Sequence, residues 1–175
     1  MAIYYGDSSN STAGRVVQVV SATKTDTATY NSIGQGAETS IPFVCSITPK
    51  DNNNKILVIM QITCDMSTTH STYATLKRQI AGAGYTEPFV GDSNGNRHRV
   101  TSGQSDQRSN SLRNINLMYL DSPNNTNQVD YGFTLSHNDN STVNILINYV
   151  DSDDDNSYNG RGTCSITCME IAVWP

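Results

Sequence analysis

The stretch KILVIMQITC, residues 55–64, decides the fold class. Successive side chains of an extended chain point to opposite sides, so Ile56, Val58, Met60, Ile62 and Cys64 share one face. Leu57 and Ile59 are also apolar, so the first half of this strand is expected to be buried on both sides. The run from Ile56 to Met60 is the longest uninterrupted apolar segment in the chain. It falls far short of the roughly 20 residues that a membrane-spanning helix requires.

Working outward, IPFVCSIT (41–48) precedes this run, and the turn residues PKDNNN separate the two. The pair is expected to form a hairpin with a longer loop. RVVQVVSA (15–22) is an earlier β-branched run. TYATLKRQI (72–80) carries mixed signals and reads as a strand, because the Gly-rich AGAGY follows at once. In SLRNINLMYLD (111–121), Leu112, Ile115 and Leu117 are interleaved with Arg113, Asn114 and Asn116, with a slip in phase near 113–115. VDYGFTLS (129–136), TVNILINYV (142–150) and TCSITCMEIAVWP (163–175) complete the set. Eight or nine strands spaced by polar turns predict an all-β chain, an antiparallel β-sandwich of jelly-roll-like form. Residues 15–175 are expected to make one domain. Residues 1–14 place Met1, Ile3, Tyr4 and Tyr5 ahead of a polar stem, which suits an attachment arm or a first strand of the same sandwich.

Composition narrows the class further. Ser, Thr and Asn supply 58 of the 175 residues, and charged residues only 15%, against ~25% in an average soluble domain. The chain is too apolar to be a disordered tail and too poor in helix formers to be a helical bundle. A net charge of −5 argues against nucleic acid as a partner, since phosphate contacts need a basic surface. The N-terminus has no basic segment followed by an apolar core, so synthesis in a reducing cytoplasm is expected. The N-x-T sequons at Asn10, Asn124 and Asn140 then follow from composition alone. Cys45, Cys64, Cys164 and Cys168 sit in strand-like runs without zinc-knuckle spacing, which predicts free buried thiols. Cys164 and Cys168 would share a face of one strand, too far apart to bond.

Sequence signals for chemistry are sparse. FVGDSNGN (89–96) resembles the nucleophile block of SGNH-type esterases around Ser93, but no D-x-x-H accompanies it: Ser67, Gly95 and Thr134 stand three residues before His70, His98 and His137. No enzyme activity and no cofactor are expected. Asp151, Asp153 and Asp155 have the alternating spacing of the first half of a calcium loop. Asn156 and Gly162 then occupy the positions of its turn glycine and its bidentate glutamate, so a solvated hairpin tip is the expectation. Arg97, His98 and Arg99 read as a solvated turn. Nine tyrosines with abundant Asn and Ser suit hydrogen-bonding contact surfaces. The loops after Tyr119, with Asn124 and Asn125, and around Tyr158 are the candidate binding loops.

Five segments in order carry a family resemblance: RVVQVVSATKTDTATY (15–30), SITPKDNNNKILVIMQI (46–62), VGDSNGNRHRV (90–100), MYLDSPNNTNQVDYGFTL (118–135) and SITCMEI (165–171). Their succession resembles small all-β virion proteins of tailed bacteriophages, especially cyanophages and other marine phages. The resemblance implies a β-sandwich on the virion surface, at a fibre tip or as a decoration, and often a homotrimer. Its partners would be other capsid or tail proteins and, for a fibre head, a host surface glycan. No catalytic residue comes with it. The sandwich begins within about 15 residues of Met1 with no long shaft ahead of it, so a short decoration or accessory protein is expected over a free-standing fibre.

Overall fold

The computed structural model describes residues 14–67, 70–105, 110–157 and 159–173. The expected N-terminal arm, apart from Gly14, and Tyr158 lie outside the described residues. Eleven strands and no helix appear among those described: β1 (Val16–Lys24), β2 (Ala28–Ile33), β3 (Thr39–Ser40), β4 (Cys45–Ile47), β5 (Lys55–Met66), β6 (Ser71–Ile80), β7 (Ser102–Ser105), β8 (Arg113–Asp121), β9 (Val129–His137), β10 (Val143–Ile147) and β11 (Cys164–Ile171).

The eleven strands form eight rows. β10 and β11 pair with the same edge of β5, Ile147 opposite Cys64 and Ser165 opposite Gln61. The facing chain therefore leaves the sheet after Ile147 and rejoins the same row at Cys164. β2 lies beside β10 and β1 beside β11, so these two also continue one another. β3 and β4 share one edge of β9 in the same way. The first sheet runs β1/β2, β10/β11, β5, β8, and the second runs β3/β4, β9, β6, β7, with every pairing antiparallel. Along the chain, successive rows alternate between the sheets, except for β6 and β7, which pair with each other. This is the eight-row order of a jelly roll.

Four expectations need correction. The runs 41–48 and 55–64 are not a hairpin: β4 pairs with β9, Cys45 opposite Tyr131, in the sheet facing β5. Alternation reports which face is buried, and two runs that face each other across a core show the same pattern as two that pair. The first half of β5 is buried on one face only, since Leu57 is half-buried and Ile59 is 38% exposed. There is no phase slip in β8, because Arg113 points inward with Ile115 and Leu117 and is fully buried. Finally, the strands within the runs 142–150 and 163–175 end at Ile147 and Ile171, although the Asn148 and Ala172 amides still donate to the Thr63 and Arg15 carbonyls.

The core between the sheets is built from Ile56, Val58, Met60, Ile62, Cys64 and Met66 of β5. They meet Ala74 and Leu76 of β6 and Tyr131, Phe133 and Leu135 of β9. All four cysteines are buried free thiols. Cys164 and Cys168 share the inner face of β11 as expected.

Charged groups close both ends of this core. At one end Arg113 donates to Thr72 Oγ1 across the sandwich at 3.0 Å, with Asp65 at 3.7 Å. Burial pushes the Asp65 carboxyl upward. At the other end, Ile56 lies opposite both Asp121 and Glu170. Arg78 Nη1 donates to both oxygens of Asp121 at 2.9 and 3.0 Å, and Tyr131 Oη donates to it at 2.7 Å. Arg78 and Tyr131 belong to the second sheet, so Asp121 ties the two sheets together. Burial alone would raise the Glu170 carboxyl. It is nevertheless held below its ordinary value, because Asn54 Nδ2 (2.6 Å), Gln18 Nε2 (2.6 Å) and the Lys50 amide (2.7 Å) all donate to it.

Two stability predictions follow from these clusters. Arg113→Ala removes the buried cation beside Asp65, leaving that buried carboxylate, among the described residues, only the Met66 and Asp151 amides, and should cost about 3–5 kcal/mol, read as a fall in the urea midpoint. Glu170→Ala leaves three donors without their acceptor and should cost about 2–4 kcal/mol. Because the folded Glu170 value is depressed, its contribution is complete above the ordinary value of 4.5 and is lost as pH falls through the folded value. Melts over an acid pH series should therefore show a steeper acid loss for the native chain than for Glu170→Ala.

Candidate interaction surfaces

The two sheets differ in what covers their outer faces. On the second sheet, Tyr73, Thr75 and Lys77 of β6 lie beside Ser136, Thr134 and Gly132 of β9. The long connection 81–101 folds over them. His98 packs its ring 5.3 Å from that of Tyr73, and Glu87, with Glu38, binds Lys77. Gly36 (φ +69) meets His98 where a Cβ would sit 2.9 Å from Cε1. Thr75, Thr134 and Ser136 are buried as a result.

On the first sheet, the described residues cover one end. There the excursion between β10 and β11, residues 148–163, lies over outward positions of β5. The Thr63 hydroxyl donates to the Thr163 carbonyl at 2.8 Å, and the Asp151 amide donates to Asp65 Oδ2 at 3.1 Å. A Cβ on Gly162 would collide with Thr63 Cγ2, so glycine permits this close approach. Thr63 and Asp65 are buried even though alternation places them outward.

Among the described residues, no segment covers the rest of that face. Register places Val19, Met169, Leu57 and Leu120 in one line across β1, β11, β5 and β8. The next line is Ser21, Thr167, Ile59 and Met118, and the third is Thr23, Ser165, Gln61 and Asn116. Val19 is 54% exposed, Met118 67% and Leu120 47%. None of these twelve residues is charged, and Lys55 stands at the margin beyond the apolar line. Beside Met118 lies a depression of about 410 Å³, lined by Ile59, Gln61, Asn116, Ser165 and Thr167 among others. Val19, Leu57, Ile59, Met118 and Leu120 thus form adjoining apolar side chains at the surface. The sequence carried a signal for it: Leu57, Ile59, Met118, Leu120 and Met169 are large apolar residues in the outward phase of three strands.

The residues singled out from sequence lie elsewhere. Tyr119 points inward near the end of β8, and its ring stacks on Phe89 at 4.6 Å between centroids and 11° between planes. Asn124 takes a left-handed backbone (φ 49) in the following loop, and Asn125 Oδ1 accepts the Asn127 amide. The Asp-rich excursion lies at the opposite end of β8, where the Ser152 amide donates to Asn110 Oδ1. The Asn124–Asn125 loop and the loop containing position 158 therefore cannot form one site. Asp151, Asp153 and Asp155 do not converge: Arg161 pairs with Asp153 at 2.6 Å, and among the described residues no cluster suits a metal. The excursion is not the hairpin tip expected from sequence, because β10 and β11 share one row beside β5 and do not pair with each other. The 97–99 cluster is also more than a solvated turn. Arg97 donates to Asn94 and Arg99 to the Gly91 carbonyl, bracing the loop, while His98 anchors it to the sheet. Ser93 is exposed in the same loop.

No family model matches the chain, and no curated protein does. Among solved structures, it is similar to a chain in the structure of the infectious bursal disease virus Gt strain. The TM-score is 0.48 at 10% identity, over 99% of this chain and 43% of that one. A similar match is the VP2 subviral particle of infectious bursal disease virus, at TM-score 0.42 and 10% identity, over 99% and 43%. Another is Eiger TNF from S. frugiperda, at TM-score 0.32 and 12% identity, over 82% and 99%. The chain spans less than half the length of the viral chains it matches.

The thiols give a direct check on this packing. Burial pushes Cys64 up to about 12 and also raises Cys164, while a hydrogen bond with Cys45 raises Cys168. An aromatic disulfide reagent at mildly alkaline pH should leave these three unmodified in the native protein and react with all four thiols after denaturation.

Proposed function

We propose that this chain is a non-enzymatic viral structural protein, a component of a bacteriophage virion exposed on the particle surface. The observation that carries the proposal is the uncharged, partly apolar outer face of the first sheet, most of it without a covering segment among the described residues. It belongs to a compact jelly roll whose other outer face is covered by its own chain. Such a face needs a protein partner, and jelly rolls serve as capsid modules. Fold alone does not assign the role; the ordered sequence resemblance to phage virion proteins supplies the context. In this reading the chain is a decoration or accessory protein attached to capsid or tail, acting as a homotrimer. The scarcity of charge lets copies pack closely without mutual repulsion.

A second reading has one observation in its favour. Jelly rolls also serve as lectin modules, and Tyr85 and Phe89 are 49% and 40% exposed on the 81–101 connection. That connection meets the β8–β9 loop where the Ala81 amide donates to the Gln128 carbonyl. Exposed rings on a connection that meets the loop carrying Asn124 and Asn125 suit a receptor-binding head that stacks on a host surface glycan.

Sedimentation with virus particles stripped of this protein separates the readings. Specific rebinding by the folded protein supports the structural role, and no rebinding overturns it. A glycan-array signal lost on Phe89→Ala would favour the receptor-binding head.

A further inference from the structure

We propose that the uncovered part of the first sheet's outer face is occupied by a second copy of this chain, placed face to face about a two-fold axis. The inference rests on the reading of this protein as an assembly component and names the partner of that surface.

Charge is the first argument. The chain carries −5 overall, yet the twelve residues of the three outward lines carry none. A basic partner would be drawn to acidic loops, such as the excursion with Asp153, Asp154 and Asp155. Two acidic copies repel each other everywhere except across a face like this one. Shape is the second argument. The same face carries Met118, well exposed, and a depression of about 410 Å³ of which Met118 itself forms one wall. In a two-fold contact each copy offers the same patch, so Met118 of each can enter the depression of the other. Methionine, unbranched and flexible, is well suited to filling such a hollow. Ser21, Thr23, Gln61, Asn116, Ser165 and Thr167 then form an uncharged polar border on one side of the apolar lines.

Size sets the strength. Four strand rows span roughly 19 Å and the three outward lines roughly 15–20 Å, so each copy offers on the order of 300–400 Å². The pair would bury about 600–800 Å², below the size of a standard specific interface, so association should be weak and depend on concentration. A self-complementary face joins copies in twos and cannot close a three-fold ring. If the protein is a trimer, its three-fold contact lies on another surface and this face links one trimer to the next.

The test is the mass of the purified full chain by light scattering across a dilution series, with Met118→Lys and Leu120→Lys beside Thr126→Lys on the exposed β8–β9 loop. Both face positions are well exposed, so the variants should melt like the native protein. The native chain and Thr126→Lys should double in mass, from monomer to dimer or from trimer to hexamer, as concentration rises. Met118→Lys and Leu120→Lys should stay at the lower mass. A native chain that never doubles overturns the inference, as does doubling unaffected by the two face variants. A native chain that does not double but binds stripped particles through Leu120 also overturns it, and leaves the structural role standing with a different virion protein as the partner. Doubling with no binding to particles supports the inference and removes the virion reading instead.

Discussion

Strand β5 is hydrogen-bonded along both edges, to β8 on one side and to β11 and then β10 on the other, and the remainder of the molecule is arranged around that double ladder. Its inward residues, Ile56 through Met66, are the spine of the core. Its two ends set where charge is admitted. Opposite Ile56 stand Asp121 and Glu170, and opposite Cys64 stands Arg113. Each is satisfied from a different direction: Asp121 by side chains of the second sheet, Glu170 by donors near the β4–β5 turn, and Arg113 by Thr72 and Asp65. The sandwich is thus apolar along its length and polar at its ends. An ionic group there costs desolvation unless its partners are fixed in place, and the fixed partners in turn hold the sheets in one relative position.

The two outer faces follow different rules. The second sheet is enclosed by its own chain, with His98 against Gly36 and Tyr73 as the fastening point. Among the described residues, the first sheet is enclosed where Gly162 and Asp151 reach Thr63 and Asp65. Elsewhere Val19, Met118 and Leu120 are exposed. The described chain thus covers one outer face with its 81–101 connection and leaves most of the other without a covering segment.

Much of the fold was legible in the sequence. The alternation of residues 55–64 identified the inner face of β5 residue by residue, and seven of the eight rows contain a run read from sequence; β7 (Ser102–Ser105) was not read as a strand. What escaped were features that local patterns do not contain. Residues 41–48 and 55–64 looked like a hairpin because nothing in a pattern distinguishes neighbours in a sheet from partners across a core. Arg113 looked like a slip in phase because a buried arginine is recognisable only once Asp65 and Thr72 are known to lie beside it. β10 and β11 looked like two independent strands because their shared row depends on β5. The surface was less legible than the core. Tyr119 was singled out as a tyrosine after a strand and proves to be packed on Phe89. Met118 and Leu120, on either side of it, face outward and went unremarked, although their phase was already visible.

The single row formed by β10 and β11 gives this molecule a site of tolerance to change. The chain leaves the row after Ile147 and rejoins it at Cys164, and β5 fixes both points. The register on either side is therefore independent of the length of what lies between. Lengthening such a loop costs little, about 0.6 kcal/mol for each doubling. The tip at Asp153–Asn156 is exposed. New sequence inserted there would be presented at one end of the sandwich without disturbing the strands that carry it. In evolutionary terms this is a place where diversity can accumulate, and in engineering terms it is a display position built into the middle of a strand.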